Sequence, residues 1–490
     1  MSFSSVSFIV FLIAVFLIYW EIPHKFRYIL LICANVLFYS CFGLTCLPIL
    51  IAEALMAYLF AKVLERTPKT DDEAPKMGDK ARMSSKKDNK YTFLLISGVV
   101  FTIAPLLIFK YLNFTIYTAD KVASKLTGAY VDHTLTLLAP IGISFYTFEA
   151  LSYILDVYKG KISAEKNFLK LFAFISFFPN ITSGPIERAG DFIPQLEVEK
   201  TFSYEKSTYG FRLILLGLVK KICGADVLKQ YVDAVFGNIY AYKGPAFIVA
   251  IVLYTYEIYL DFSGYTDMAR GAALILGFDL TENFKAPYLS NGIKEFFGRW
   301  HISLSQWLRD YIYIPLGGSR CSKIRKYINL MITFLVSGIW HGASFTFIVW
   351  GLLHGVYQCL ADIFAGLLRR IPKPVRILGT FVLVSFAWMF FRANSLTDAK
   401  YIALNMIIGD NFYGQMLQMG FLNMGIYVGV ISIISLTIVY DIVSEKADII
   451  AILGEQRTLV RWVIYVVAGV LILTLRAHIG ASADFIYFSF

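Results

Sequence analysis

From Tyr327 to Tyr357 the chain reads YINLMITFLVSGIWHGASFTFIVWGLLHGVY, without a single Lys, Arg, Asp or Glu. A run this long and this apolar belongs in a bilayer, whose hydrocarbon core takes about 20 helical residues to cross. Lipid offers the backbone no hydrogen bonds, so such a segment folds as helix. Two histidines lie in the run: His341, between Trp340 and Gly342, and His354, in Leu353-His354-Gly355. The helical pattern weakens at Gly338, Gly342, Ala343 and Ser344, which predicts a broken span with His341 about midway. An ionisable group at that depth is costly and faces a cavity or a substrate path. Broken backbone there is tolerated where it is buried in protein or lines a cavity.

Similar apolar windows recur along the 490 residues, of which 57% are hydrophobic and 16% charged; soluble domains carry about 25% charged residues. The expected fold class is all-α: a polytopic membrane protein with about 10–12 transmembrane helices. No internal repeat or soluble boundary is visible, so residues 1–490 read as one domain. The net charge of +10 is the signature of cytoplasmic loops and calls for no nucleic acid. Lys62 to Lys90 holds nine Lys/Arg and six Asp/Glu, which predicts a mobile polar cytoplasmic loop over 62–91. With the basic residues His24 to Arg27, Arg320 to Lys326 and Arg369 to Arg376, it places the N-terminus outside the cytoplasm. The Val6 to Trp20 run lacks a basic n-region and a clear cleavage site, and reads as a retained first helix.

Two stretches do not read as simple spans. Phe177 to Leu196 carries three prolines and two glycines, and Phe284 to Arg320 mixes aromatics with charges. Ala286 to Pro315 is expected to be an interfacial or re-entrant helix with Trp300 and Trp307 one heptad apart on one face. His301 lies in it, with Ser305 four residues on along the same face. Spacing leaves His301 open as an interfacial anchor or as a site residue. His341 is likewise either a histidine bonded between helices or a general base. Asp267 and Arg270 are expected to pair across one helical turn. No HExxH or Cys/His cluster predicts a metal. The absence of a Walker loop, GxGxxG and GxSxG argues against nucleotide hydrolysis, dinucleotide binding and a serine hydrolase.

Several segments together carry a family resemblance: PIGISFYTF at 140–148, Gly184-Pro185-Ile186 through Gln195-Leu196, Tyr259 to Gly277, RWHISLSQWLRDYIYIPLGGSR at 299–320, GIWHGASFTFIVWGLLHG at 338–355 and GTFVLVSFAWMFFRAN at 379–394. The chain resembles the membrane-bound O-acyltransferases, most of all the bacterial alginate O-acetyltransferase branch. The resemblance implies helices around a central tunnel and a motif-bearing core over 140–355. It puts His341 at the family's essential histidine and His301 at its second polar position. Arg299, Trp300, Ser305, Asp310, Trp340 and His354 would bind or orient substrate. It implies no bound cofactor, with acetyl-CoA as the cytoplasmic donor substrate. In this branch acetyl moves outward across a bacterial inner membrane, through an extracytoplasmic SGNH-type partner, to a polysaccharide hydroxyl. Two other readings stand beside it: transfer from another acyl donor or carrier, and a transporter or export subunit with His341 as proton relay. The lack of matched inverted halves weighs against the transporter.

Overall fold

The computed structural model describes residues 1–66, 80–128, 133–135, 137, 139–409, 411–479 and 485, with backbone alone for 80–90. The described residues form helices and no strand; one isolated bridge joins Phe284 to Trp300. Among the described residues, seven helical stretches are long and apolar enough to cross a bilayer: Leu44–Glu65, Tyr91–Thr127, Pro245–Ile275, Phe345–Ile363, Lys373–Arg392, Met424–Ser444 and Thr458–His478. Apolar windows alone suggest more spans, because shorter helices such as Val6–Glu21 and Ile143–Tyr158 also register. At 16 residues each, these rise about 24 Å and stand beside the seven longer stretches. Part of the polar 62–91 stretch is helix rather than loop, since one helix runs to Arg66 and the next begins at Lys80. Residues 67–79 lie outside the described residues.

The chain divides into two compact units, and 140–355 contributes to both. The first comprises Met1 and Phe11–Phe202. In it Leu47–Arg66 packs on Ile143–Tyr158 and Lys80–Leu106, with the small residues Ala54, Ala57 and Ala61 fully buried. The Ile143 helix starts after Gly142 at φ 78°. The proline- and glycine-rich stretch after Phe177 is pinned by buried Glu149. Its Oε1 accepts from Asn180 Nδ2 at 2.7 Å and from the Glu187 backbone N–H at 3.0 Å, partners that an irregular buried backbone requires.

The second unit comprises Ser2–Val10 and Ser203–Phe490. Its longest helix, Pro245–Ile275, has 31 residues and is buried over most of its length. Against it lies the π-helical turn Val219–Ala225, which sends two adjacent lysines toward carboxylates of this helix and toward Asp226. Lys221 Nζ lies 2.8 Å from Asp226 and 2.7 Å from Asp261. Lys220 Nζ lies 2.6 Å from Asp267. The expected Asp267–Arg270 pair therefore does not form, and Arg270 meets Glu282 at 3.5 Å instead. The buried lysine satisfies the buried carboxylate, which local helical spacing cannot reveal.

The 327–357 run is not one interrupted span. Lys323–His341 ends with Gly342 in extended conformation, and Ser344 caps the next helix, accepting from Thr346 N at 3.3 Å. The two helices run antiparallel, with Lys326 meeting Asp362 at 2.7 Å at one end. His341 thus sits at the tip of a helical hairpin. Near that tip the backbones almost touch: a Cβ on Gly351 would lie 2.3 Å from the Phe334 carbonyl oxygen, and one on Gly338 would lie 2.4 Å from that of Phe347. Gly351→Ala is expected to lower stability by about 1–3 kcal/mol through overpacking. Gly379→Ala, where nothing lies within 4 Å, should be neutral or slightly stabilising. Thermal midpoints of the two purified variants test this; equal midpoints would refute the close crossing.

Candidate active site

The glycine crossing puts Trp350, on the second hairpin helix, against His341, at the end of the first. Their rings meet edge to face at 4.9 Å. Trp340 at 5.0 Å and Phe391 at 5.2 Å complete an aromatic collar around the imidazole. Phe391 comes from Lys373–Arg392, whose Trp388 stacks on Trp350 at 5.6 Å and 23°. His341 is 3% exposed.

His301 reaches the same region from a broken segment. The expected continuous helix over 286–315 is instead Ile293–Arg299, Ile302–Leu308 and a π-helical turn Arg309–Tyr313. Trp300 and Trp307 therefore do not share one helix face. The break is at His301, which adopts the left-handed conformation at φ 44°. That is unusual for a residue with a Cβ, costs about 1–3 kcal/mol, and persists only where surroundings enforce it. Asn283 enforces it: its carbonyl accepts from Ile302 N at 3.1 Å and its Oδ1 from Ser303 N at 3.1 Å. The neighbouring Phe284–Trp300 bridge and the Lys285 N to Arg299 O bond at 3.0 Å hold the preceding residues. The imidazole packs on Phe262 at 4.7 Å and on Trp340 at 5.9 Å. Burial lowers its pKa to about 3, so at neutral pH it is uncharged.

His301 and His341 line one cavity of about 720 Å³, a size typical of ligand sites. Trp300, Trp350, Ser305 and Ser337 line it with them. Its other lining residues include Lys326, Asp362, Ser319 and Arg309, beside the basic 320–326 segment. From Lys326 to His341 the helix rises about 22 Å, so the cavity is deep, with Phe297, Leu330 and Phe334 in its wall.

Other expected site residues are sorted differently. Trp300 and Ser305 line the cavity, and Ser305 Oγ donates to the Trp300 carbonyl at 3.3 Å. Trp340 lies in ring contact with both histidines. His354 is fully buried, against Phe297 at 5.0 Å and Trp350 at 4.7 Å. Arg299 faces a second cavity of about 890 Å³ and is held by Glu295 at 2.7 Å and by Glu445. Asp310 pairs with its neighbour Arg309 at 2.8 Å. Asn283, Trp350 and Phe391 were not expected; their roles arise from a backbone break and a hairpin that no local motif encodes. Asn283→Ala leaves the buried Ser303 N–H without its acceptor, at a cost of about 1–3 kcal/mol. Hydrogen exchange should accelerate at residues 302–304 and stay unchanged in Lys323–His341; uniform acceleration, or none, would refute the local clamp.

A family model for the membrane-bound O-acyltransferases matches residues 161–397. A probable alginate O-acetylase of Pseudomonas aeruginosa is 42% identical over 306 residues, 62% of this chain and 58% of that protein. One from Azotobacter vinelandii is 37% identical over 405 residues, 81% of this chain and 76% of that one. The peptidoglycan O-acetyltransferase of Helicobacter pylori is 31% identical over 410 residues, 77% and 73% of the two chains. With this similarity along most of its length and seven helices able to cross a bilayer, the chain is a multi-pass membrane protein and belongs to the membrane-bound O-acyltransferase family, enzymes that transfer acyl groups to hydroxyls.

Proposed function

We propose that the protein is an O-acetyltransferase of the bacterial inner membrane that takes acetyl from cytoplasmic acetyl-CoA and delivers it outward for O-acetylation of a polysaccharide. The observation that carries this reading is the deep cavity that has Lys326 and Asp362 in its wall at one end of the hairpin and His341 at the other. In this reading the basic 320–326 segment is cytoplasmic, as the charge distribution favours, and the N-terminus is extracytoplasmic. Anionic CoA is drawn to the basic end, and its thioester arm threads the cavity to His341. The names of the relatives speak of alginate and of peptidoglycan, both polysaccharides, which supports that acceptor class here. An extracytoplasmic SGNH-type partner carries the acetyl group to the final hydroxyl.

The chemistry needs a base, alignment and an electron sink. His341 removes the proton from the acceptor hydroxyl as its oxygen attacks the thioester carbonyl carbon. The tetrahedral intermediate collapses, the carbon–sulfur bond breaks, and the CoA thiolate leaves with the proton held by His341. Neutral His301 orients donor or acceptor through hydrogen bonds. The aromatic collar excludes water, which protects the thioester from hydrolysis. General-base catalysis contributes about 10²–10⁴-fold, so His341→Ala should lower acetyl-CoA turnover by at least about 10²-fold while the thermal midpoint holds. The assay uses purified protein with its candidate partner. Equal turnover in both proteins would transfer the role to another base. No turnover by wild type with acetyl, longer acyl or carrier-bound donors would remove the acyltransferase reading.

A further inference from the structure

The helix Phe345–Ile363 holds a feature that the two histidines at the cavity's end leave unexplained. Trp350, His354 and Gln358 are four residues apart, so they form one stripe along its face. Each has a buried polar atom with no hydrogen-bond partner among the described residues: Trp350 Nε1, both ring nitrogens of His354, and Gln358 Oε1. Trp350 is 1% exposed and His354 0%. One such atom in a buried wall is costly; four along one stripe are unmet hydrogen-bonding capacity.

The stripe follows the cavity. Trp350 and Gln358 line it directly, and Asp362, one turn further on, lines it beside Lys326. His354 lies between them under the Phe297 ring. From Gln358 to Trp350 the helix rises about 12 Å, and Trp350 ends the stripe against His341. The occupant these atoms fit is thread-like, carries amide N–H and C=O groups along its length, and ends in a reactive carbonyl. A wholly apolar acyl chain would leave them unpaired.

We propose that Trp350, His354 and Gln358 form a hydrogen-bonding track for the amide-bearing pantetheine arm of the thioester donor. Gln358 Oε1 accepts from an amide N–H of the arm. His354, against the Phe297 ring, meets the middle of the arm. Trp350 Nε1–H donates to the thioester carbonyl beside His341. The arm as donor rests on the function proposed above, whereas the track is a property of binding and is tested by binding.

The test compares S-acetylpantetheine with an acetyl thioester on a polyether chain of matching length, which has no amide N–H. Binding to the protein in nanodiscs is measured by calorimetry, and acetyl transfer is read in parallel. Gln358→Leu and His354→Leu are expected to weaken S-acetylpantetheine about three- to tenfold each, the size of one neutral hydrogen bond. Binding of the polyether thioester should change less than about twofold, and Trp350→Phe should weaken both probes. Thermal midpoints identify any variant that misfolds; Gln358→Leu, at a half-buried position of similar volume, then decides alone. Unchanged binding of S-acetylpantetheine to Gln358→Leu, equal weakening of both probes, or no binding of S-acetylpantetheine by wild type overturns the track. Amide-dependent binding without acetyl transfer would keep the track and remove the proposed function. Transfer with binding indifferent to Gln358 would do the reverse.

Discussion

Two helices can bring an imidazole and an indole into one small volume only if their backbones nearly touch. Gly338 and Gly351 meet that condition, and a methyl group on either would collide with a carbonyl oxygen of the opposite helix. The crossing fixes which residues face each other along the hairpin. It sets Trp350 against His341 and leaves the Lys326–Asp362 pair to close the far end. The cavity between is bounded by these two helices and by the broken segment carrying His301. A side chain at the crossing would spread the hairpin, separate His341 from its aromatic collar and change the cavity along its whole length.

The second constraint is polar. A left-handed residue with a Cβ in a buried segment exposes two following N–H groups, and buried donors must be paired. Asn283 pairs both, one with its backbone carbonyl and one with its side chain. The same residue thus stabilises the break and aims His301. This is how strain concentrates at a site: the local cost is met by a partner distant in sequence. Burial then keeps the His301 imidazole neutral.

Much of this was legible in the sequence, and the illegible part has a common cause. The all-α membrane class follows from apolar windows, and both histidines stood out as polar residues in apolar or aromatic surroundings. The cavity contains both. Pattern reading placed His341 midway through one span because a glycine-rich interruption looks the same whether the chain continues or reverses. It extended a helix through His301 because nothing in Arg299-Trp300-His301 announces a positive φ. It paired Asp267 with Arg270 because helical spacing sees only its own helix, whereas Lys220 comes from a π-helical turn elsewhere. Arg299 was expected near the substrate for its place in a motif, yet carboxylates at 295 and 445 hold it facing another cavity. The helix break, the chain reversal and the Lys220–Asp267 pair each rest on a contact between residues far apart in sequence or on a backbone state without a residue-type signature.

That second cavity shows why charge alone does not mark a site. It is the larger of the two and is lined by Lys220, Arg270, Lys285 and Arg299, which on composition would suit an anion. Yet Lys220 is held by Asp267 at 2.6 Å, Arg270 and Lys285 by Glu282 at 3.5 and 3.3 Å, and Arg299 by two glutamates. An anion entering there would compete with carboxylates that already hold these cations, and only the Lys220–Asp267 pair among them is largely buried. The first cavity has the opposite character. Its walls are mostly apolar, but polar atoms on its hairpin wall have no hydrogen-bond partner among the described residues. Capacity to bind lies in unmet hydrogen-bonding potential, and the proposed track places that potential along the helix that ends against His341.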